Sequence, residues 1–301
     1  MLVTGDEGVL VQGITGRQGR FWASRMAECG TQILAGATPG KGGQRVDGVP
    51  VYGSAREAAA HHQLQATVLF VPPLGFASAA RDALAAGITK IVALTEHIPS
   101  QDVMEVLAEA RDRGAQVLGP NTAGLVIPGA ASLGIMPAFA ENIFRPGTVG
   151  VVSRSGSLGT LACLHLVQAG YGQSAFIGVG GDPILGTTTA DAVRELDQHP
   201  ATSCVVIVGE IGGVMEERAA EYIAGMTKPV IALIAGRTAP PGKRMGHAGA
   251  IISGRLGTGE AKVRALRAAG ATVIDIPSQF GGALQERGVP AITPTPIKAT
   301  S

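Results

Sequence analysis

The chain has 301 residues, enough for two α/β units that each bury a core. Its 24 basic and 23 acidic side chains leave a net charge of +1, so it carries no field that would gather nucleic acid or an anionic membrane surface. The three cysteines, Cys29, Cys163 and Cys204, form no CxxC pair, which argues against a disulfide framework or a zinc site and for a reducing, cytoplasmic setting.

No apolar run reaches the roughly 18 residues of a membrane span, and MLVTGDEG at the start lacks the basic and apolar segments of an export signal. A soluble protein is expected. Short apolar runs then recur along the first part: VLVQG (9–13), QILAGAT (32–38), ATVLFVPP (66–73), KIVALTE (90–96) and QVLGPN (116–121). Helix-type stretches lie between several of them, at 20–30, 76–87 and 101–114, the last starting after Pro99-Ser100 as a cap and stopping at Gly114. Nearly uniform apolar strands alternating with helices predict a doubly wound parallel sheet. Prolines at 128, 137 and 146 mark a looser segment, and the pattern restarts with strands at 148–155, 174–181, 203–213, 229–236 and 271–276. The expected division is a first domain over 1–125, a linker over 126–147, a second domain over 148–288 and an extended Pro/Thr-rich tail over 289–301.

Several motifs carry chemistry. GITGRQG (13–19) follows the first strand and opens the first helix, where bare N–H groups and a helix N-terminus can meet a phosphate; a purely structural tight turn is the plainer reading. The second strand ends GATPGKGG (36–43) with no acid for a ribose, which argues against NAD. Lys41 stands there instead, either a solvated loop lysine or a contact for a ligand with an extra phosphate, such as coenzyme A or NADP. GATPGK is not a Walker A loop: its glycines are one residue too close, and Gly42 stands where Ser or Thr must hold magnesium.

In SRSGSLG (153–159) neither Ser155 nor Ser157 fits GxSxG, which argues against a serine hydrolase; helix N-capping and a second phosphate seat both remain open. VGEIGG (208–213) puts Glu210 at the C-terminal end of a strand, the edge where parallel sheets meet ligands. GKRMGHAGAI (242–251) sets His247 among glycines and alanines behind Lys243 and Arg244, with no second metal ligand nearby. His247 needs a carboxylate partner to fix its tautomer, and Glu210 is the candidate. His61, His62, His165 and His199 have no motif and are read as surface or packing residues.

Taken in order, GITGRQG, TPGKGG (38–43), GPN (119–121), VSRSGSL (152–158), GVGGDPI (178–184), GEIGG (209–213) and KRMGHAGAIISG (243–254) resemble the α subunit of succinyl-CoA synthetase, over about residues 8–285. The wider family includes malate-CoA and citrate-CoA ligases and ATP-citrate lyase. The resemblance implies an α/β fold, with an N-terminal Rossmann-like CoA-binding domain followed by a flavodoxin-like ligase domain. It implies that Thr15, Gly16, Arg17, Gln18, Lys41, Val71, Pro72, Pro73, Thr95 and Glu96 touch coenzyme A. His247 would be phosphorylated and held by Glu210, and Ser155, Gly156 and Ser157 would open a helix that receives the phosphohistidine. Asn121 and Thr160 would lie toward the substrate.

ATP or GTP with Mg2+ would be bound mainly by an ATP-grasp β subunit, in an αβ or (αβ)2 heteromer, and no metal site is expected on this chain. A malate-CoA or citrate-CoA ligase subunit and a non-catalytic CoA-binding regulator are the alternatives; the intact His247, Glu210 and Ser155–Ser157 set counts against the regulator. Three positions depart from the family pattern: Thr160 where Tyr is usual, Thr122 where Cys is usual and His97 where Gly is usual. These departures bear on which carboxylic acid is used.

Overall fold

A computed structural model describes residues 1–237, 247, 249 and 257–292. Lys243, Arg244 and the tail from 293 onward lie outside the described residues. The first part of the chain forms β1 (Gly8–Gln12), α1 (Arg17–Glu28), β2 (Gln32–Ala37), β3 (Arg45–Val46), β4 (Val49–Tyr52), α2 (Ala55–Ala59), β5 (Ala66–Leu69), α3 (Phe76–Ala85), β6 (Lys90–Ala93), α4 (Ser100–Asp112) and β7 (Gln116–Leu118). The second forms β8 (Gly124–Ile127), β9 (Ala131–Gly134), β10 (Pro146–Ser153), α5 (Gly156–Gln168), β11 (Gln173–Gly178), α6 (Thr189–Gln198), β12 (Cys204–Glu210), α7 (Met215–Ile223), β13 (Val230–Ala235), α8 (Gly259–Ala268), β14 (Thr272–Ile274) and α9 (Phe280–Glu286).

Two seven-stranded sheets result, ordered β3-β4-β2-β1-β5-β6-β7 and β14-β13-β12-β10-β11-β8-β9. Their cores are parallel. Setting aside the β3 hairpin, which pairs antiparallel at one edge, the first order is the doubly wound Rossmann arrangement. The second sheet, without its antiparallel β8–β9 edge, has the flavodoxin-like order, with β10 flanked by β11 and β12. Central strands such as β5, β10 and β12 bury Val68, Val151, Val152, Val206 and Ile207, which explains their near-continuous apolar runs.

The residues read as a linker, 126–147, include half of β8 and all of β9, a hairpin added to the second sheet beside β11. Pro128 and Gly129 belong to its turn, so turn residues and short strands share one stretch and the composition reads as loose. Leu125, Val126 and Leu133 are fully buried, which ties the hairpin into the core. The hairpin β3–β4 also went unforeseen, because its two- and four-residue strands are too short to show a period. Ser100 is the first helical residue of α4 rather than its cap; Pro99 precedes it and gives no side-chain bond. The tail was expected to begin at 289, but Val289 is buried and the Ile292 N–H donates to the Gly170 carbonyl.

Candidate functional site

In each sheet the chain reverses direction beside its first parallel strand, between β1 and β5 in one and between β10 and β12 in the other. Such switch points open crevices at the C-terminal strand ends. At the first, Gly16 is the N-cap of α1 and offers no side-chain bond to the helix, so the opening N–H groups are left for a ligand or water. Arg17 and Gln18 follow it, exposed, and the Thr15 hydroxyl lies 3.2 Å from that of Thr38.

A cleft of about 1070 Å³ runs along these ends, lined by Gln12, Thr38, Pro39, Val71 and Pro72. Pro73 opens a short 3-10 turn leading into α3, and the Thr95 hydroxyl donates to the Val71 carbonyl at 2.6 Å. Lys41 is exposed on the loop after β2, with its own N–H bonded to the Thr38 carbonyl. Glu96 is exposed beside His97, whose φ of 61° is the left-handed conformation that suits glycine.

At the second crevice Ser153 ends β10, and Ser155 caps α5 by accepting from the Leu158 N–H at 3.4 Å. Ser155 and Ser157 bring their hydroxyls within 3.2 Å, at the positive end of a 13-residue helix. One turn later the Thr160 hydroxyl donates to the Gly156 carbonyl at 2.8 Å, which commits its proton and leaves it only acceptor capacity. Thr122 is buried; its hydroxyl donates to the Gly178 carbonyl and accepts from the Gly124 N–H. Both polar roles of that side chain are therefore met inside the protein.

His247 and Glu210 meet here. The imidazole Nδ1 lies 2.9 and 2.8 Å from the two carboxylate oxygens. A carboxylate only accepts, so Nδ1 carries the proton and the neutral ring keeps its lone pair on Nε2. The ring packs against Gly181, where a Cβ would come within 2.5 Å of it. The Gly249 N–H donates to the Gly181 carbonyl at 3.0 Å, and the Gly181 N–H to the Asn121 carbonyl at 3.1 Å. The Asn121 N–H in turn donates to the Thr95 carbonyl, and its side-chain amide donates to Asp182 at 2.9 Å. Asn121 thus links the two crevices instead of pointing freely into either. The bond to Glu210 raises the His247 pKa, against the opposing pull of burial and of Arg154; Asp182 adds to the rise.

Behind this pair stand residues that sequence reasoning did not single out. Arg154 is 3% exposed, and Glu216 and Lys262 are fully buried. Arg154 Nη2 lies 3.3 Å from Glu210 Oε1, and its Nη1 donates to the Gly212 carbonyl at 3.0 Å. Glu216 Oε1 is 3.7 Å from Arg154 Nη1 and accepts from the Glu210 N–H at 3.2 Å. Its other oxygen pairs with Lys262, which also reaches Glu217 at 2.9 Å. Arg154 stood inside a quoted motif, but nothing in SRSG separates an inward arginine from a solvated one. Glu216 and Lys262 sit on α7 and α8, where charges ordinarily face water.

This is an α/β chain with two switch-point crevices, one of bare backbone and one holding a carboxylate-bound histidine at a helix N-terminus. Its residues 4–97 match the CoA binding domain model and 152–272 the CoA-ligase model. The chain is 50% identical over 281 residues to the succinate–CoA ligase [ADP-forming] subunit alpha of Methanothermobacter thermautotrophicus, covering 92% of this chain and 94% of that one. It is 47% identical to the ADP-forming sulfoacetate-CoA ligase subunit of an Acholeplasma species, covering 93% and 96%. A solved Methanosaeta concilii ATP citrate lyase superposes with a TM-score of 0.88 over 99% of the chain at 24% identity, and the chain spans 53% of that protein's length. The chain belongs to the α-subunit family of ADP-forming CoA ligases: it is a CoA-ligase α subunit, one component of an enzyme with a partner subunit.

Proposed function

We propose that this chain makes an acyl-CoA from a di- or tricarboxylic acid, coenzyme A and a nucleoside triphosphate by carrying a phosphoryl group on His247. The observation that carries this reading is the pairing of His247 Nδ1 with both Glu210 oxygens, which aims the free Nε2 lone pair away from the carboxylate. Nε2 attacks the terminal phosphorus of the nucleotide, the bond to the bridging oxygen breaks, and the nucleoside diphosphate leaves. Glu210 holds the Nδ1 proton and balances the charge that the ring gains.

The phosphoryl group then passes from Nε2 to a carboxylate oxygen of the acid, giving an acyl phosphate and restoring His247. The N-terminus of α5, with Ser155, Gly156 and Ser157, stabilises the phosphoryl charge in this transfer. Coenzyme A supplies the thiol that takes the acyl group and frees inorganic phosphate. The first crevice fits it: the uncapped start of α1 accepts a pyrophosphate, and Thr15, Gly16, Arg17, Gln18, Lys41, Val71, Pro72, Pro73, Thr95 and Glu96 surround the β1–β5 switch point or the adjoining loops.

The nucleotide and its Mg2+ belong to an ATP-grasp β subunit in an αβ or (αβ)2 assembly, since both sheets of this chain already serve other ligands. Relatives named for succinate and for sulfoacetate match it at 50% and 47%, so overall likeness does not choose the acid. Thr160 near the substrate favours an acid larger or more polar than succinate, with the hydroxyl as acceptor. The test incubates the purified α–β pair with γ-labelled nucleotide. Acid-labile, base-stable label on this chain, followed by acyl-CoA formation from a panel of acids, is expected; a chain that stays unlabelled refutes the phosphoryl carrier.

A further inference from the structure

Buried charges are expensive to desolvate, and chains of them behind a titrating group point to a task at that group. Arg154, Glu216 and Lys262 form such a chain, running from Glu210 to the interior of α7 and α8. With Glu217 included, two cations face three carboxylates, so the cluster is one positive charge short. The groups facing His247 among the described residues are Glu210, Arg154 and Asp182.

We propose that Arg154 is a positioning residue for the phosphoryl transfer, acting through Glu210: it is the standing cation that orients this carboxylate and limits how tightly it holds the His247 proton. Glu216 and Lys262 brace the guanidinium from behind. The geometry supports each part. Arg154 spans two anchors, the Gly212 carbonyl through Nη1 and Glu210 Oε1 through Nη2, which only a planar fork can reach together. Gly249 lies against the same group: a Cβ there would be 2.9 Å from Arg154 Nη2. Without Arg154, Glu210 would face the imidazole as an uncompensated buried carboxylate. It would hold the imidazolium form, whose Nε2 has no lone pair for phosphorus. The proposal rests on the phosphohistidine reading above, and its test separates the two.

The experiment uses the α–β complex with ¹³C-labelled histidine in this chain, the His247 signal being assigned by its loss in His247→Asn. Arg154→Gln is expected to raise the His247 titration midpoint by roughly half to one pH unit. The acid limb of phosphorylation by γ-labelled nucleotide should move up with it, and Arg154→Lys should return the midpoint toward wild type. Glu216→Gln removes a negative charge and should move the midpoint the opposite way. A structural role would lower the amplitude and leave every midpoint in place. Midpoints unchanged in both Arg154→Gln and Glu216→Gln, or shifted in the same direction, overturn the proposal, and either variant suffices if the other does not fold. Failure to label the wild-type chain would remove the phosphocarrier reading, while the titration would still decide what Arg154 does.

Discussion

At the end of β1 the chain offers exposed backbone and a helix without a side-chain cap, and the loop after β2 adds a lysine in solvent. At the end of β10 it buries Arg154, Glu210, Glu216 and Lys262 against one another. The two crevices occupy matching places in their sheets, so the difference arises from what each must do. The first waits for a large polyanionic ligand, and exposed N–H groups bind such a ligand with little preorganised charge. In the proposed mechanism the second tunes one imidazole and holds its partner carboxylate still, which requires charges fixed in a low-dielectric interior. Substitutions should therefore act differently in the two places, on binding in the first and on chemistry or folding in the second.

The sharpest break is His247→Asn, which should abolish labelling by γ-labelled nucleotide and reduce turnover by more than about a thousandfold, measured in the α–β complex. Lys262→Met leaves the buried Glu216 with only Arg154, 3.7 Å away, as a cation. It should destabilise the chain by about 3–5 kcal/mol, read as a lower Tm, with CoA affinity nearly unchanged in whatever remains folded. Glu210→Gln should slow phosphorylation by about 10–100-fold while leaving binding at the first crevice intact.

The same variant also probes pH. Glu210 raises the His247 pKa, and the reactive ring is the neutral one, so wild-type phosphorylation should fall as pH drops through that raised value. In Glu210→Gln the acid limb should shift to lower pH, and a limb that stays put would separate His247 from Glu210. The sign for stability is the reverse: the pair's contribution is fully present below the ordinary histidine pKa and is lost as pH rises through the raised one.

Thr160→Tyr tests the outer rim of the second crevice. It should change the kcat/KM ranking of succinate against larger or hydroxylated acids by about 1–3 kcal/mol, while the labelling rate of His247 holds. An unchanged ranking would place acid selection elsewhere. Lys41→Ala marks the smallest effect, because the side chain is solvated before any ligand arrives. Its expected signature is a KM for coenzyme A raised roughly fivefold with kcat unchanged, and a smaller change for dephospho-CoA if Lys41 meets the 3′-phosphate.

Much of this was legible in the sequence because the signals are local. A short apolar run rich in β-branched residues, such as CVVIV, reads as a strand buried on both faces, and GITGRQG and SRSGSLG mark strand-to-helix turns through spacing. The glycines around His247 and the strand-end position of Glu210 likewise follow from a few adjacent residues, and they suggested the pair before any coordinates did. What the sequence hid is long-range or short. The β8–β9 hairpin has four-residue strands, and its pairing with β11 depends on residues about fifty positions away. The Glu216–Lys262 pair joins residues 46 apart on two helices whose charges look solvated in isolation, and Arg154 meets the Gly212 carbonyl across 58 residues. The sequence alone determined strand ends and turns, which depend on local period and spacing, and its resemblance to a family named the histidine and a candidate carboxylate 37 residues away. Only the tertiary structure decided which charges lie in the interior and which neighbour compensates each, because burial comes from the packing of α7 against α6 and α8, and of α8 against β13 and β14, and not from any residue's immediate neighbours.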